Sequence, residues 1–318
     1  MISLIRNEWM KIFSKISSYI FIGFLIVALL GSAILVKTLI NTENEDWRTA
    51  QEENIQSQQA NLADPNTTEE EKEWIQEDIA RSQELLDTGI NPNQETSWSF
   101  MVNWVTTIAS FVTLFAVIIC SASVSAEFSD GTIKQLLIRP HRRWKILLSK
   151  YITSLLYAGT MVVVLVVAGY LIGLLFFDSA SFTEKIIDPA SFGEVKTLEA
   201  GPYFFELMLY WIPGFLIITT IAFMLSTLFK SQAIAVGVSV FILFASSTLN
   251  MLITSLVERY GWLKFVLFPH LDLRRYIMDA VPMFEGATVG LSLSVLAVYY
   301  VLFIGITFFV FKKKDISI

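Results

Sequence analysis

The sequence predicts an all-α membrane protein that crosses the bilayer six times. Of its 318 residues, 54% are hydrophobic and 14% aromatic, and the mean hydropathy is +0.58. Charged residues make up only 16% of the chain, against about 25% in a soluble domain. Six apolar runs are long enough to span a hydrocarbon core of about 30 Å, which takes about 20 helical residues. They cover residues 16–40, 98–124, 151–177, 207–229, 233–257 and 288–311.

The first fifteen residues have the pattern of an amphipathic helix that lies in the membrane interface. Apolar side chains recur there at helical spacing, while cationic side chains occupy the other side. The apolar members include Ile5, Trp9, Ile12 and Phe13. The apolar run that follows exceeds the about 7–15 residues of the hydrophobic region of a secretory signal. We therefore expect residues 1–15 to form an interfacial helix and residues 16–40 to remain as an uncleaved first span.

Lysine and arginine are distributed unevenly between the two sides of the six predicted spans. They precede the first span, crowd the loop between the second and third, follow the fourth, and fill the tail at residues 312–318. Short loops rich in these residues stay on the cytoplasmic side. We therefore expect a multi-pass protein of the cell membrane with both termini in the cytoplasm. Arg274 and Arg275 lie outside in this arrangement, where Asp272 and Asp279 partly balance their charge.

Three loops face the outside in this orientation. The first, residues 41–97, carries fifteen acidic residues, and Thr68 with Glu71 forms a capping-box pattern that opens a helix. We expect a helical extracellular hairpin here, which is either a sensor of a substrate or partner or a solvated spacer. The second loop, residues 178–206, is broken by proline and glycine. The third, residues 258–287, holds an apolar stretch too short to span, as in re-entrant or interfacial segments.

The sequence lacks the motifs for nucleotide binding and gives no support for a disulfide, a zinc site or a Ser/His/Asp site. The chain has no G-x-x-x-x-G-K-[ST] motif and no G-x-G-x-x-G motif after a strand, so we expect no nucleotide or cofactor site in it. The single cysteine, Cys120, excludes a disulfide within the chain. His141 and His270 fall on opposite sides of the membrane, which argues against a shared zinc ion. A Ser/His/Asp site would need His270 at the outer surface with Asp272 or Asp279, but nothing marks a nucleophile.

The fourth and fifth spans carry no Asp, Glu, Lys, Arg or His. Carriers driven by ions need such groups inside the membrane as relays. The energy for any transport is therefore expected to come from outside the membrane domain, and the chain itself is expected to be non-catalytic.

The loop at residues 125–150 holds six lysines and arginines against two acids. Along it, in order, stand Glu127, Gly131, Thr132, Leu136, Leu137, Pro140, Arg143 and Lys150. In this order and spacing the loop resembles that of the permease subunits of the type-2 family of ABC exporters. His141 and Arg142 replace the small residues that usually precede the arginine in that family. The resemblance extends over the chain through the amphipathic N-terminus, the six spans and the apolar last outer loop.

The resemblance implies that this loop couples the protein to a separate ATPase subunit, which binds ATP and Mg. Residues 132–138 suit a short helix with Ile133, Leu136 and Leu137 on one apolar side. Gly131 permits a chain reversal before that helix, and Pro140 stops it. Glu127 is placed to pair with a cation of the N-terminal helix or of the loop. The coupling residues that the resemblance implies are Glu127, Gly131, Thr132, Ile133, Leu136, Leu137, Pro140 and Arg143. The alternative is a basic loop that only determines the membrane topology and contacts lipid.

The predicted function is that of the transmembrane permease subunit of an ATP-driven exporter. The expected partners are a cytoplasmic ABC ATPase subunit, a second permease subunit in a homodimer or heterodimer, membrane lipid and an amphiphilic substrate, with no nucleic acid. Aromatic spans favour a peptide antibiotic, a drug or a lipid-like compound over a sugar or ion, which points to multidrug or antimicrobial-peptide resistance. The alternatives are a membrane sensor or assembly scaffold, with a ligand-binding outer hairpin, and an intramembrane enzyme.

Overall fold

A computed structural model describes residues 1–40, 47–64, 67–133, 142–188, 195–278 and 283–313. In chain order its helices are α1 (Ile2–Phe13), α2 (Ile16–Leu35), α3 (Trp47–Leu62), α4 (Glu69–Thr88), α5 (Ser97–Ser129), α6 (Arg143–Phe176), α7 (Ala200–Leu228), α8 (Gln232–Leu256), α9 (Arg275–Met278) and α10 (Val289–Lys313). Within the described ranges, six of them are long and apolar enough to cross a membrane: α2, α5, α6, α7, α8 and α10. The chain is therefore a largely helical, multi-pass membrane protein, as its composition predicts.

The third spanning helix is longer than the apolar run that predicts it. Helix α6 begins at Arg143, whereas the hydropathy pattern places the start of the span at residue 151. Ile146 and Leu147 are buried in this extra stretch, while Arg143 and Trp144 are exposed. The last part of the predicted loop is therefore helical, because its apolar side chains give the helix a buried face.

The chain divides into two compact units. The first unit consists of Met1–Val27, Thr107–Val167 and Leu207–Ile318, and the second of Ala28–Thr106 and Ala168–Glu206. The core of the first unit is built from buried side chains of α5, α6, α7 and α10, among them Val117, Leu147, Ile221, Phe223 and Leu296. A buried polar contact also ties α5 to α7 in this unit.

That polar contact is made by Ser226 of α7. Its Oγ accepts hydrogen bonds from the backbone N–H groups of Val124, at 2.8 Å, and Ser125, at 2.9 Å. All three residues are buried. Because a buried hydrogen bond between helices fixes their register, the end of α5 is held against α7.

In the second unit, α3 and α4 pack side by side around polar contacts. The Asp78 carboxylate of α4 accepts hydrogen bonds from Asn54 and Gln58 of α3, each at 3.2 Å. Thr68 and Glu71 form the predicted capping box at the start of α4. The helix ends at Gly89, whose positive φ of 66° suits glycine at a helix C-terminus.

The second unit also holds a short antiparallel ribbon that the sequence does not reveal. Strands β1 (Lys185–Ile187) and β2 (Thr197–Glu199) pair with Ile186 opposite Leu198. Each strand has only three residues, too few for an alternating pattern to stand out. The ribbon is therefore a small addition to the all-α prediction.

Two glycines of α6 let this helix approach α5 closely within the second unit. A Cβ added at Gly173 would lie 3.1 Å from the carbonyl oxygen of Ser97, and one added at Gly169 would overlap the Val105 side chain. Small residues four apart on a spanning helix permit this kind of contact. The pair therefore has a packing role.

The segment between α8 and α10 is compact and partly buried. It contains two 3-10 turns, Gly261–Phe265 and Phe268–His270. A Cβ added at Gly214 of α7 would overlap the Leu271 carbonyl oxygen, so this glycine lets the segment lie directly against α7. Pro213 stands inside α7 beside it.

Candidate functional site

Four charged side chains meet where α1 packs against α5 and α6, and we call this group the ion cluster. It consists of Glu8 and Lys11 from α1, Glu127 from α5 and Lys150 from α6. The Lys150 Nζ lies 2.6 Å from Oε1 of Glu127 and 2.7 Å from Oε2 of Glu8. The Lys11 Nζ lies 3.1 Å from Oε1 of Glu127 and 3.3 Å from Oε1 of Glu8. Charges of opposite sign thus alternate around the cluster.

Local sequence explains how α1 brings two of these charges to the same place. Glu8 and Lys11 are three residues apart, so they share one face of the helix. Polar contacts hold this part of the chain against α6: the Tyr157 hydroxyl donates to the Ser18 carbonyl of α2 at 3.0 Å, and the Thr153 hydroxyl lies 3.4 Å from the Ile5 carbonyl oxygen of α1. Helix α1 and the start of α2 therefore both contact α6.

Apolar side chains of α1 contribute to its packing. Ile5, Trp9, Ile12 and Phe13 are all half-buried. The Phe13 ring meets the Tyr157 ring edge-on, with centroids 5.5 Å apart. This contact adds aromatic packing to the polar attachment of α1.

The ion cluster is unevenly exposed. The Lys150 side chain is only 2% exposed, whereas that of Lys11 is 55% exposed. A buried ammonium group is costly unless carboxylates compensate it, and Lys150 has two. Glu127 is also buried, and its second oxygen, Oε2, has no hydrogen-bond partner among the described residues.

For Glu8 and Lys11, the effect of charge pairing on the pKa outweighs the opposite effect of burial. Burial acts to raise the pKa of Glu8, but the ammonium groups of Lys150 and Lys11 outweigh it and lower that pKa below its usual value. Burial likewise acts to lower the pKa of Lys11, but the carboxylates of Glu127 and Glu8 raise it. Both side chains are therefore charged at neutral pH.

A cavity of about 390 Å³ opens beside the ion cluster. Besides the four cluster members, its lining includes Lys15, Asp130, Thr132 and Thr153. Its three lysines are matched by three acids, so the lining has no strong preference for a ligand of one sign. In the described ranges, no group of three or more His, Cys, Asp or Glu side chains could hold a metal ion. The arrangement suits the joining of elements better than the capture of an ion.

The start of the predicted coupling loop lies next to the ion cluster. Glu127 is a cluster member, and its pairing with cations of α1 and of the loop is the pairing expected from the sequence. Gly131 has a positive φ of 69°, which suits a chain reversal. The Thr132 hydroxyl donates to the Glu127 carbonyl at 3.5 Å, and Ile133 is buried.

Four further coupling residues are predicted after Ile133. Leu136, Leu137 and Pro140 lie outside the described residues. Arg143, at the start of α6, is exposed and donates to the Lys312 carbonyl of α10 at 3.5 Å. This contact links the start of α6 to the end of α10.

A further contact links the end of α5 to the connection between α7 and α8. The Ser129 hydroxyl accepts a hydrogen bond from the Gln232 backbone N–H at 2.9 Å and donates to the Lys230 carbonyl at 3.3 Å. We call this contact the Ser129 clamp. Sequence reasoning did not find it, since one serine at a helix end carries no distinctive signal.

Glu8 is the cluster member that sequence reasoning missed. A signal was present, because Glu8 is the single acidic residue in the first forty positions. Glu8 is an isolated acidic residue on an otherwise basic helix, and the structure shows that it pairs with the buried Lys150. The sequence marks Lys150 only as the last residue of the series in which the loop resembles a coupling loop.

His270 is not at the surface, contrary to what a Ser/His/Asp site would need. It is fully buried, and its ring nitrogens lie 2.7 Å from the Ser292 hydroxyl and 2.8 Å from the Lys264 carbonyl. Ser292 is buried as well and also contacts the Tyr276 hydroxyl at 2.8 Å. Burial lowers the pKa of His270, which keeps the ring neutral. This histidine holds the segment after α8 against α10.

Comparison with known proteins gives a family for the chain. It is 34% identical over 338 aligned positions to the uncharacterized protein YhcI of Bacillus subtilis (strain 168), and the match covers all of both chains. It is 31% identical over 204 positions to the uncharacterized membrane protein YdbK of the same organism, which covers 64% of this chain and 76% of that protein. A family model described as "Protein of unknown function (DUF2705)" matches residues 79–317. The chain therefore belongs to the DUF2705 family.

Proposed function

We propose that the chain is the transmembrane permease subunit of an ATP-driven ABC exporter. The observation that carries the proposal is the position of the ion cluster. It fastens α1, α5 and α6 together directly before the loop whose residues resemble a coupling loop. A force applied to that loop would reach three helices at once, because a buried ionic joint between packed helices is stiff.

The distribution of charges supports one orientation of the protein in the cell membrane. The excess of lysine and arginine favours a cytoplasmic position for α1, the coupling loop and both termini. Helix α1 lies in the inner interface with its apolar face toward lipid and protein. The hairpin formed by α3 and α4 is then extracellular.

The other subunits of the proposed transporter are separate chains. A cytoplasmic ATPase subunit binds ATP and Mg, and the segment 132–138, for which the sequence predicts a short helix, docks into it. A second permease subunit, identical or different, completes the path for an amphiphilic substrate. The chain itself contributes no catalytic residue.

The docking role of the loop can be tested with matched charges on its two faces. The helix predicted from the sequence over residues 132–138 has Leu136 on its apolar side with Ile133 and Gln135 on the opposite side. We expect Leu136→Asp to abolish recovery of an ATPase subunit with the tagged chain and to remove ATPase stimulation in reconstituted vesicles. Gln135→Asp adds the same charge on the other face and should leave both measurements within about twofold of the wild-type chain, since exposed charges contribute little.

Equal recovery of the ATPase with both variants would refute the docking role. If no ATPase subunit accompanies even the wild-type chain, a membrane sensor or scaffold would be the better account. Both variants should be compared at equal expression and with the same elution volume in gel filtration, so that folding defects are separated from docking defects.

A further inference from the structure

Five cationic residues lie where the start of α6 meets the end of α10, and we call them the basic patch. Three stand at the start of α6 and two at the end of α10: Arg142, Arg143, Lys145, Lys312 and Lys313. The Arg143 Nη1 lies 3.5 Å from the Lys312 carbonyl oxygen, which joins the two helix ends. Residues 169 positions apart in the chain therefore belong to one surface.

The basic patch has no carboxylate to balance it among the described residues. All five residues are exposed, and none of them forms an ion pair with a described acidic residue. The two lysines of the ion cluster, in contrast, each pair with two carboxylates. Cations gathered at one contact repel each other unless an anion lies among them. The basic patch therefore favours an anionic occupant.

Helix polarity explains the two lysines of α10 but not the cations of α6. A helix carries a partial positive charge at its N-terminus and a partial negative charge at its C-terminus, so cations are stabilised in the last turn and disfavoured in the first. Lys312 and Lys313 lie in the last turn of α10. Arg143 and Lys145 lie in the first turn of α6, which holds no acidic residue. The cations of α6 thus stand where their own helix opposes them, and an external anion would offset this cost.

Exposed aromatic rings beside the basic patch suit contact with lipid. The Lys145 Nζ lies 5.7 Å from the centroid of the Trp144 ring, and the Lys313 Nζ lies 4.6 Å from that of the Phe309 ring. Trp144 is 46% exposed and Phe309 is 59% exposed. Tryptophan is enriched at membrane interfaces, and lysine extends its charge from an apolar stem into the headgroup region. An occupant with apolar chains as well as an anionic group therefore fits this surface better than a free anion.

We propose that the basic patch binds the headgroup of an anionic phospholipid, with its phosphate among the cations of α6 and α10 and its acyl chains beside Trp144 and Phe309. Clusters of lysine and arginine at the ends of spanning helices attract such headgroups. A lipid held in this way bridges two helix ends that are far apart in the chain. The inference goes beyond the proposed function, and the binding requires no ATPase.

The test uses the delipidated full chain in a neutral detergent, to which phosphatidylglycerol or phosphatidylcholine with the same acyl chains is added. Native mass spectrometry counts the lipid molecules that stay bound, and the concentration at half occupancy of the first site gives the affinity. We expect half occupancy by phosphatidylglycerol at a concentration at least about tenfold lower than by phosphatidylcholine, since each cation near an anionic headgroup contributes about fivefold. Glycerol 3-phosphate, which has no acyl chains, should not displace the bound lipid.

A double variant and a matched control assign the site. Arg143→Gln with Lys312→Gln removes one cation from each helix end and should reduce the preference for phosphatidylglycerol to about twofold. Arg6→Gln with Lys230→Gln removes the same two residue types from exposed positions on α1 and on the connection between α7 and α8, and it should keep the preference. Each variant is accepted only if its thermal midpoint is within a few degrees of that of the wild-type chain.

Equal affinity for the two lipids, or a preference that the variant of Arg143 and Lys312 retains in full, would overturn the proposal. Displacement of the lipid by glycerol 3-phosphate would assign the basic patch to a free anion and would also overturn it. An acidic partner protein is the other occupant that this charge suits. If the double variant loses an ATPase subunit but keeps the lipid preference, the basic patch belongs to that partner and the proposal fails.

The lipid measurement contains no ATPase, and neither substituted residue lies in the segment 132–138. Failure of lipid binding would therefore leave the docking experiment intact, and failure of docking would leave the lipid result intact.

Discussion

At the residue scale, Lys150 and Lys11 make the same type of contact in very different surroundings. Both pair with Glu8 and Glu127. Removing one partner of a buried ion pair leaves an uncompensated charge and costs about 3–5 kcal/mol, while an exposed pair contributes about 0–1 kcal/mol. The two lysines therefore allow burial to be tested with the partners held constant.

We predict that Lys150→Met destabilises the protein by about 3–5 kcal/mol, because it leaves Glu8 and Glu127 together without their buried cation. Lys11→Met should cost less than about 1 kcal/mol, since the Lys11 side chain is 55% exposed. Thermal unfolding of both variants in one detergent gives the comparison. Similar midpoints for the two variants would contradict the view that burial determines the strength of the ion cluster.

At the element scale, the close contact between α5 and α6 depends on the lack of a side chain at Gly173. Gly173 leaves room for the Ser97 backbone, whereas Gly159, on the same helix, has no atom within 4 Å of the position a Cβ would take. Helix α6 thus provides a glycine at a contact and a glycine at an open surface. Substituting each of these two glycines therefore distinguishes the effect of packing on stability from the effect of helix propensity.

We predict that Gly173→Leu destabilises the second unit by about 1–3 kcal/mol through overpacking. Gly159→Leu should be neutral or slightly stabilising, because leucine has the higher helix propensity and meets no neighbour. Resistance to limited proteolysis in detergent, read at the loops that flank α5 and α6, would rank the two. Equal protection would show that the glycine at position 173 is not needed for the contact.

At the scale of the whole molecule, the number of candidate spans predicts on which side of the membrane the exposed parts lie. Six crossings predict both termini on one side and the helices α3 and α4 on the other. The charge distribution predicts that the termini are cytoplasmic. Gln56 and Lys313 are exposed reporters of the two sides, and Gln56 is preferable to Gln58, whose side chain is bonded to Asp78.

We predict that a cysteine at position 56 reacts with a membrane-impermeant thiol reagent in intact cells, while one at position 313 reacts only after permeabilisation. Both are placed singly in a Cys120→Ser background, which removes the native thiol. The physical reason is the excess of lysine and arginine on the terminal side. Labelling of position 313 before position 56 would reverse the orientation and remove the coupling loop from the cytoplasm.

The sequence is most informative about structure that is determined by residues close together in the chain. Apolar runs predicted the spans, and the pair Thr68 and Glu71 predicted the start of α4. Glu127 was found with its cationic partners because it stands alone at the end of an apolar run. These features depend on residues that are near one another in the chain.

Features that join distant residues were not predictable in this way. A cavity of about 570 Å³ in the first unit combines residues of α5, α7, α8 and the segment after α8, so no single stretch of sequence contains it. The burial of His270 depends on Ser292 and Lys264, which nothing in the sequence links to it. Strands of three residues are likewise set by their partner rather than by their own pattern.

The Ser129 clamp has a consequence for timing. It consists of two hydrogen bonds at an exposed helix end, which together stabilise the closed contact by about 1–3 kcal/mol. Water can replace both partners of these hydrogen bonds, so breaking the Ser129 clamp costs less free energy than removing a partner from the buried ion cluster. The two attachments at the end of α5 therefore differ in strength. Under the proposed function, we expect a force on the loop between α5 and α6 to break the Ser129 clamp before the ion cluster.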